Sequence, residues 1–323
     1  MASSFPPELT QAAERFLTTE FVTIDGAGRP IVWPVTPYFH PDDDCIDVTT
    51  GVGYPKKADD AARNPRVALL FSDPTGSGLE NPPTVLVQGT VRVDDEDLAA
   101  NSRRFEREFA EKLPALAELA PRDPLKRLFS WYYHRIYLHV RPERVYVWPG
   151  GDLEAEPTLW DSHVEEVRSG HNEEPEEGHV PPEGGMDVWD PRLDRLGRDD
   201  TTGVIAFVGP DGFPFAVRVP VRANEDALRV QIDADPVGAP IEPGPACLCA
   251  HAHADDFTWQ RSFQVRGDLV EEGGSWVLHP HRVVSGLQLP SSAVERYRVN
   301  VRKILRFRKT AREREHARAG TTV

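Results

Sequence analysis

The chain has 323 residues, 39% of them hydrophobic and 28% charged, and carries a formal net charge of −15. That length accommodates two domains of ordinary size, and the acidic balance argues against non-specific binding to nucleic acid. No apolar run approaches the roughly 20 residues of a membrane span, and no basic-then-apolar start resembles a secretion signal. An odd count of three cysteines, Cys45, Cys247 and Cys249, argues against a disulfide framework. A cytoplasmic location is therefore expected.

In chain order, Pro7 to Phe16 reads as a short helix. Phe21 to Asp25, a turn at Gly26-Ala27-Gly28, and Ile31 to His40 read as a β-hairpin rich in β-branched and aromatic residues. After the turn Pro41-Asp42-Asp43-Asp44, Cys45 to Thr50 is the next strand, and Lys56 to Asn64 a helix stopped by Pro65. Val67 to Ser72 is mostly apolar, as a strand buried on both faces would be. Val85 to Val93 is a further strand. Short strands, tight turns and one brief helix favour a closed barrel over a doubly wound sheet.

Glu96 to Leu119 and Pro124 to Tyr133 are expected to be helical, with Phe105, Phe109, Leu113 and Leu116 at helical intervals. Ile136 to Val140 and Arg144 to Trp148 return to strand and end a first domain, 1–150. Residues 151–200 read as a linker; within it, positions 161–190 hold ten acidic side chains and one arginine. A second domain is expected over 201–290, followed by a basic helical tail, 291–323. Between Arg296 and Arg318 that tail has ten Arg or Lys and two Glu, and Val301, Ile304 and Leu305 fall on one stripe.

The two domains repeat one another. Thr18-Thr19-Glu20-Phe21-Val22-Thr23-Ile24, then Asp25-Gly26 and Arg29-Pro30, is matched by Thr201-Thr202-Gly203-Val204-Ile205-Ala206-Phe207, then Asp211-Gly212 and Phe213-Pro214. Asn64-Pro65-Arg66-Val67-Ala68 is echoed by Gly244-Pro245-Ala246-Cys247-Leu248, and Val87-Gln88-Gly89 by Val265-Arg266-Gly267. The fold expected is therefore mainly β: two tandem barrels, the second degenerate, with peripheral helices.

One segment carries chemistry in the first copy alone. Val48-Thr49-Thr50-Gly51-Val52-Gly53-Tyr54-Pro55-Lys56-Lys57 is a strand, a small-residue turn and a helix opening. Helix N-termini present free N–H groups and a favourable dipole to an anion, and two lysines add countercharge. The bland alternative is a solvated lysine pair on an ordinary turn. In the second copy the matching segment, Asp233-Ala234-Asp235-Pro236-Val237-Gly238-Ala239-Pro240, has two aspartates and no lysine, so a phosphate would be repelled there.

Together, Asp25-Gly26, Arg29-Pro30, Thr49-Thr50, Lys57, Arg63-Asn64-Pro65-Arg66-Val67 and Val85-Leu86-Val87-Gln88-Gly89 resemble the pyridoxamine-5'-phosphate-oxidase-like family of flavin-binding split β-barrels. The resemblance implies an oxidoreductase that binds flavin mononucleotide (FMN), with the deazaflavin coenzyme F-420 as an alternative and haem as a third possibility. It implies that Lys57, assisted by Lys56, meets the cofactor phosphate. Trp33, Pro34, Val35, Thr36, Thr49 and Thr50 would line the ring and ribityl chain, and Thr84 would supply a polar contact. Two departures stand out: Pro55 replaces a serine that many members use, and Val35 or Thr36 sits where the true oxidases carry an arginine. Vitamin B6 oxidation is therefore not expected. The partner implied is a small-molecule substrate, with no specific nucleic acid. Such barrels bind cofactor at a dimer interface, so either a pseudo-dimeric monomer or a homodimer is expected. The non-enzymatic alternative is a cofactor- or haem-binding protein on the same fold.

Other constellations have plainer readings. Cys247, Cys249, His251 and His253 alternate on one strand face. The ends of that run lie too far apart to share one ion, so core packing with a polar end is expected. His163, His171 and His179 fall among glutamates in a segment that reads as solvated linker. Trp131-Tyr132-Tyr133-His134 reads as core, or else as a wall of the substrate pocket. Arg302 to Lys309 reads as a helix pairing with the acidic body rather than lying on a membrane. Ser72-Asp73 with scattered histidines is no triad signal, no catalytic side chain is assigned, and no metal site is expected.

Overall fold

A computed structural model describes residues 5–40, 42–119, 129–162, 186, 188–226, 228–234, 236–286 and 305–314. His163, His171, His179, Asp235 and the tail from Arg296 to Ile304 lie outside the described residues.

The architecture is mainly β, in two sheets with peripheral helices. The first sheet contains β1 (Thr19–Ile24), β2 (Pro30–Val35), β3 (Tyr38–Phe39), β4 (Ile46–Gly51), β5 (Arg66–Phe71), β6 (Thr84–Asp94), β7 (Arg135–Trp148) and β8 (Thr158–Asp161). Its hydrogen-bonded path runs β2-β1-β5-β6-β7-β4-β3, with β8 on the flank of β7, and does not close. The second comprises β9 (Thr202–Val208), β10 (Pro214–Asn224), β11 (Arg229–Ile232), β12 (Gly244–His253), β13 (Gln260–Glu272) and β14 (Ser275–Ser285). It closes as β10-β11-β14-β13-β12-β9. The difference lies at one seam: β11 pairs with β10, whereas its counterpart β4 pairs with β3.

The repeat seen in the sequence recurs in detail. β6 and β13 each carry a bulge, between Gln88 and Gly89 and between Arg266 and Gly267. A Cβ on Gly89 would come within 2.0 Å of the Arg141 carbonyl oxygen, and one on Gly267 within 2.1 Å of that of His279. No rotamer relieves a clash with backbone. Gly89→Ala is expected to lower stability by about 1–3 kcal/mol, read as a lower midpoint in urea unfolding.

The sheets share a core. Strand side chains alternate between faces, so on β1 Phe21 enters the core enclosed by the first sheet while Val22 faces the second sheet. On β5, Leu69 and Leu70 divide the same way. The interfacial cluster joins Val22, Val32, Ala68, Leu70, Leu86 and Trp148 to Ile205, Val217, Cys247 and Cys249. Gln88 donates to the Pro214 carbonyl at 2.9 Å and Gln264 to that of Val32 at 3.0 Å, one bond in each direction. Continuous apolar strands are thus explained by burial on both sides.

Helices α1 (Pro7–Arg15), α2 (Lys56–Arg63), α3 (Leu98–Lys112), α4 (Pro114–Glu118) and α5 (Ser130–Tyr133) belong to the first half, and a helix over 305–314, α6, packs against it. The single helix expected from Glu96 to Leu119 is broken at Leu113, because Pro114 has no N–H to continue the ladder and opens α4 instead. The stretch expected as linker supplies strand β8, and Leu193 and Leu196 are buried in the shared core. Among the described residues, no helix is long and apolar enough to cross a membrane.

Candidate binding cleft

β2 is buried from Pro30 to Val32 and half-open from Trp33 to Val35. That change marks a cleft of about 470 Å³ between the two sheets. The first half supplies Trp33, Pro34, Val35, Thr36, Thr49, Lys56, Lys57, Tyr132 and Arg135. The second sheet supplies Gln260, Ser262 and Arg266, and α6 supplies Arg306, Phe307 and Thr310.

Seven of the nine sequence-assigned residues come together and two do not. Trp33, Pro34, Val35, Thr36, Thr49, Lys56 and Lys57 meet in this cleft. Thr50 is fully buried and donates to the Tyr54 carbonyl at 3.0 Å. Thr84 is also buried, opposite Trp148 at the start of β6 and beside Gly151.

At the floor, Pro55 caps α2 without a side-chain hydrogen bond, so the first-turn N–H groups have no intrahelical acceptor and none from the capping side chain. Lys56 is exposed and paired with Asp60 at 2.8 Å. Lys57 is half-buried and has no carboxylate partner among the described residues; its Nζ lies 5.5 Å over the Tyr54 ring. Burial, and then the Arg135 charge, push the Lys57 ammonium down to about 8.

Arg135 was not anticipated. It is buried, donates to the Tyr54 hydroxyl at 2.7 Å, and stacks over Phe105 at 3.9 Å and Tyr132 at 4.3 Å. Its Nε is buried with no hydrogen-bond partner among the described residues. A guanidinium so placed stays charged, and a buried donor without an acceptor costs about 1–3 kcal/mol. The signal available in the sequence was one arginine inside the aromatic run Trp131 to Tyr137. Of the preceding aromatic cluster, Trp131 and Tyr133 are buried in the core, whereas Tyr132 lines the cleft.

The basic tail also reaches the site. Phe307 packs on Tyr54 and Trp131 with ring centroids 5.3 and 5.2 Å away. Arg314 anchors α6 to Asp59 at 2.5 Å and to Asp95 at 3.2 Å. In the second copy, Asp233 is tied to Arg222 at 2.7 Å, and among the described residues β11 runs to β12 without a counterpart of α2.

A second polar cluster lies between the sheets and borders the cleft: Glu20 is the cross-strand partner of Pro34 and His251 that of Ser262, and His253 packs on Phe257 at 4.8 Å. Glu20 is fully buried; it meets Arg218 at 2.9 Å and His251 at 2.6 Å, and accepts from Ser72 at 2.8 Å. Asp73 stands 3.7 Å from both His251 and His253. Ser72 is held by Arg218 as well, at 2.9 Å, so this serine is a bridge in an ionic lattice rather than a free nucleophile.

No family model matches the sequence, and no curated protein matches it significantly. Solved structures do resemble it. A conserved hypothetical protein from Mycobacterium tuberculosis is 18% identical over 46% of this chain and 87% of its own, with a TM-score of 0.35. An F420 reductase is 21% identical over 44% of this chain and 98% of its own, at 0.32. A haem-binding protein from Mycobacterium smegmatis is 14% identical over 49% of this chain and 59% of its own, at 0.33. Structures of the pyridoxamine 5'-phosphate oxidase and general stress protein 26 type are also among these neighbours, each over about half of the chain.

Proposed function

We propose that the cleft binds a phosphate-bearing flavin, FMN or the deazaflavin coenzyme F-420, and that the protein is an oxidoreductase acting on a small molecule. The observation that carries this reading is a pair of cations, Lys57 and Arg135, with no carboxylate partner among the described residues, beside an apolar slot walled by Trp33, Pro34 and Tyr132. An anion in the cleft would pair with the Arg135 guanidinium, which lines it, and favour the charged form of Lys57. The residues present fit the group: Lys57, Lys56 and the start of α2 for the phosphate, the strand from Trp33 to Thr36 for the ring. When bound, the flavin supplies hydride transfer. The chain's contribution is to orient the ring, exclude water with α6 and the second sheet, and neutralise the phosphate.

Flavin is favoured over haem by the lining. An axial ligand to haem iron is His, Cys, Met or Tyr. Among the described lining residues these are tyrosines alone, Tyr38, Tyr54 and Tyr132, and the Tyr54 hydroxyl is taken by Arg135. Equilibrium dialysis of the full chain against FMN, F-420 and haem tests the reading. Retention of a flavin at one per chain supports it; retention of none of the flavins removes it.

Binding should also depend on pH. Phosphate is fully ionised above about pH 7, and Lys57 loses its proton near 8 in the free protein. A bound anion raises that value, so binding takes up a proton above it. Affinity for FMN is expected to hold between pH 7 and 8 and then to weaken by up to about tenfold per pH unit. A profile flat to pH 10 would remove Lys57 from the contact.

A further inference from the structure

On the face of β4 and β7 that carries Thr49 and Arg135 to the cleft, farther along the strands, three metal-binding side chains come together. Cys45 precedes β4, and Asp47, two residues on, shares its face. His139 on β7 is the direct cross-strand partner of Asp47. Cys45 Sγ, Asp47 Oδ1 and His139 Nδ1 all lie within 4.8 Å of one another. The surroundings match those of a ligand set. The other Asp47 oxygen is held by Arg104 at 2.5 Å, and Arg104 is itself fixed by Glu108 at 2.6 Å. His139 Nε2 is buried, has no hydrogen-bond partner among the described residues, and faces Asp94 at 3.7 Å.

Asp47 Oδ1 lies 2.7 Å from His139 Nδ1 and accepts from the Cys45 thiol at 3.5 Å, so the three donor atoms converge on one point. Those contacts leave the other ring nitrogen orphaned, and a cation at that point accounts for it. With Nδ1 on a metal, the imidazole proton resides on Nε2 and points to Asp94, the carboxylate support that metal-bound histidines commonly have. Arg104 likewise steadies the carboxylate through its non-ligating oxygen.

We propose that Cys45, Asp47 and His139 form a three-ligand site for a divalent ion of the zinc class, separate from the cleft. One thiolate, one imidazole and one carboxylate select zinc or cobalt over magnesium or calcium, which prefer all-oxygen sites. Three protein ligands leave the fourth tetrahedral position to water or a ligand. The sequence conceals the site because its third member lies 92 residues beyond Asp47.

The test is titration of the full-length protein with Co²⁺, followed by absorbance. The expected result is a thiolate-to-cobalt charge-transfer band that saturates at one ion per chain and is displaced by Zn²⁺. In Cys45→Ser that band disappears, and in His139→Gln affinity falls at least tenfold, with circular dichroism unchanged in both. Cys45 is the half-buried thiol, whereas Cys247 and Cys249 are buried, so Zn²⁺ should also slow alkylation of Cys45 in the unmodified chain. Cobalt binding without a thiolate band, or alkylation indifferent to zinc, would overturn the proposal.

Discussion

Lys57→Ala and Arg135→Met are each expected to weaken FMN binding by roughly ten- to a hundredfold while leaving the fold intact. Each removes one charge-assisted contact, worth about 1.5–3 kcal/mol. The two variants should differ in their other effects. Lys57 is held at a cost without ligand, since burial and Arg135 lower its pKa to about 8, so its loss should leave the thermal midpoint of the ligand-free protein unchanged or slightly raised. Methionine at 135 fills the space against Phe105 and Tyr132 and removes a buried donor without an acceptor. It also loses the hydrogen bond to the Tyr54 hydroxyl and the cation–ring contacts, so a gain in stability is expected for Lys57→Ala alone. Stability gained by the apo protein together with affinity lost is the mark of a binding residue rather than a structural one. Fluorescence titration and thermal unfolding of the same preparations check both halves.

Arg218→Met should have the opposite signature, with a large loss of stability. Glu20 is fully buried, and burial disfavours its charged form, but Arg218 and then His251 outweigh that and hold the carboxyl below its usual range. Without Arg218 the carboxylate is left in the interface with one imidazole partner. Breaking a buried pair by removing one member costs about 3–5 kcal/mol. The double variant Glu20→Gln, Arg218→Met removes the stranded charge and should recover part of that loss, a non-additivity that urea unfolding measures.

The same lattice sets the response to acid. Asp73 is likewise depressed, by Arg218 and His251 against the opposing effect of burial. A carboxyl whose value is lower in the folded than in the unfolded chain contributes stability in full above the ordinary carboxylate range, and this is lost as pH falls through its folded value. Burial lowers His253 below the ordinary imidazole value, so its contribution begins to fall once pH drops below about 6.5. Every one of these shifts has the same sign. Stability should decline from about pH 6.5 downward, steeply below pH 4, and the decline should be shallower in the double variant.

The sequence was legible wherever the physics was local. Hairpins showed as Asp25-Gly26 and Asp211-Gly212 turns, the two-faced burial of β5 as an unbroken apolar run, and the duplication as paired glutamine- or arginine-glycine bulges. The helix break at Leu113 was present in Pro114 and was outweighed by periodicity. What could not be read was anything set by distant approach. His251 finds Glu20 from 231 residues away, and the Cys247 to His253 face therefore showed its polar end without the partner that explains it. Arg135, Arg266 and Phe307 come to the cleft from a strand start, the other sheet and the tail, and no spacing rule links them to Lys57.

The most direct measurement is the ratio of FMN to riboflavin affinity in the unmodified chain and in Lys57→Ala, Arg135→Met. The two ligands differ by the phosphate alone. A preference for FMN of at least a hundredfold in the unmodified protein, collapsing toward unity in the double variant, is the predicted result. Equal affinity for the two ligands in the unmodified protein, or a preference that survives both substitutions, would contradict the placement of an anionic cofactor in this cleft.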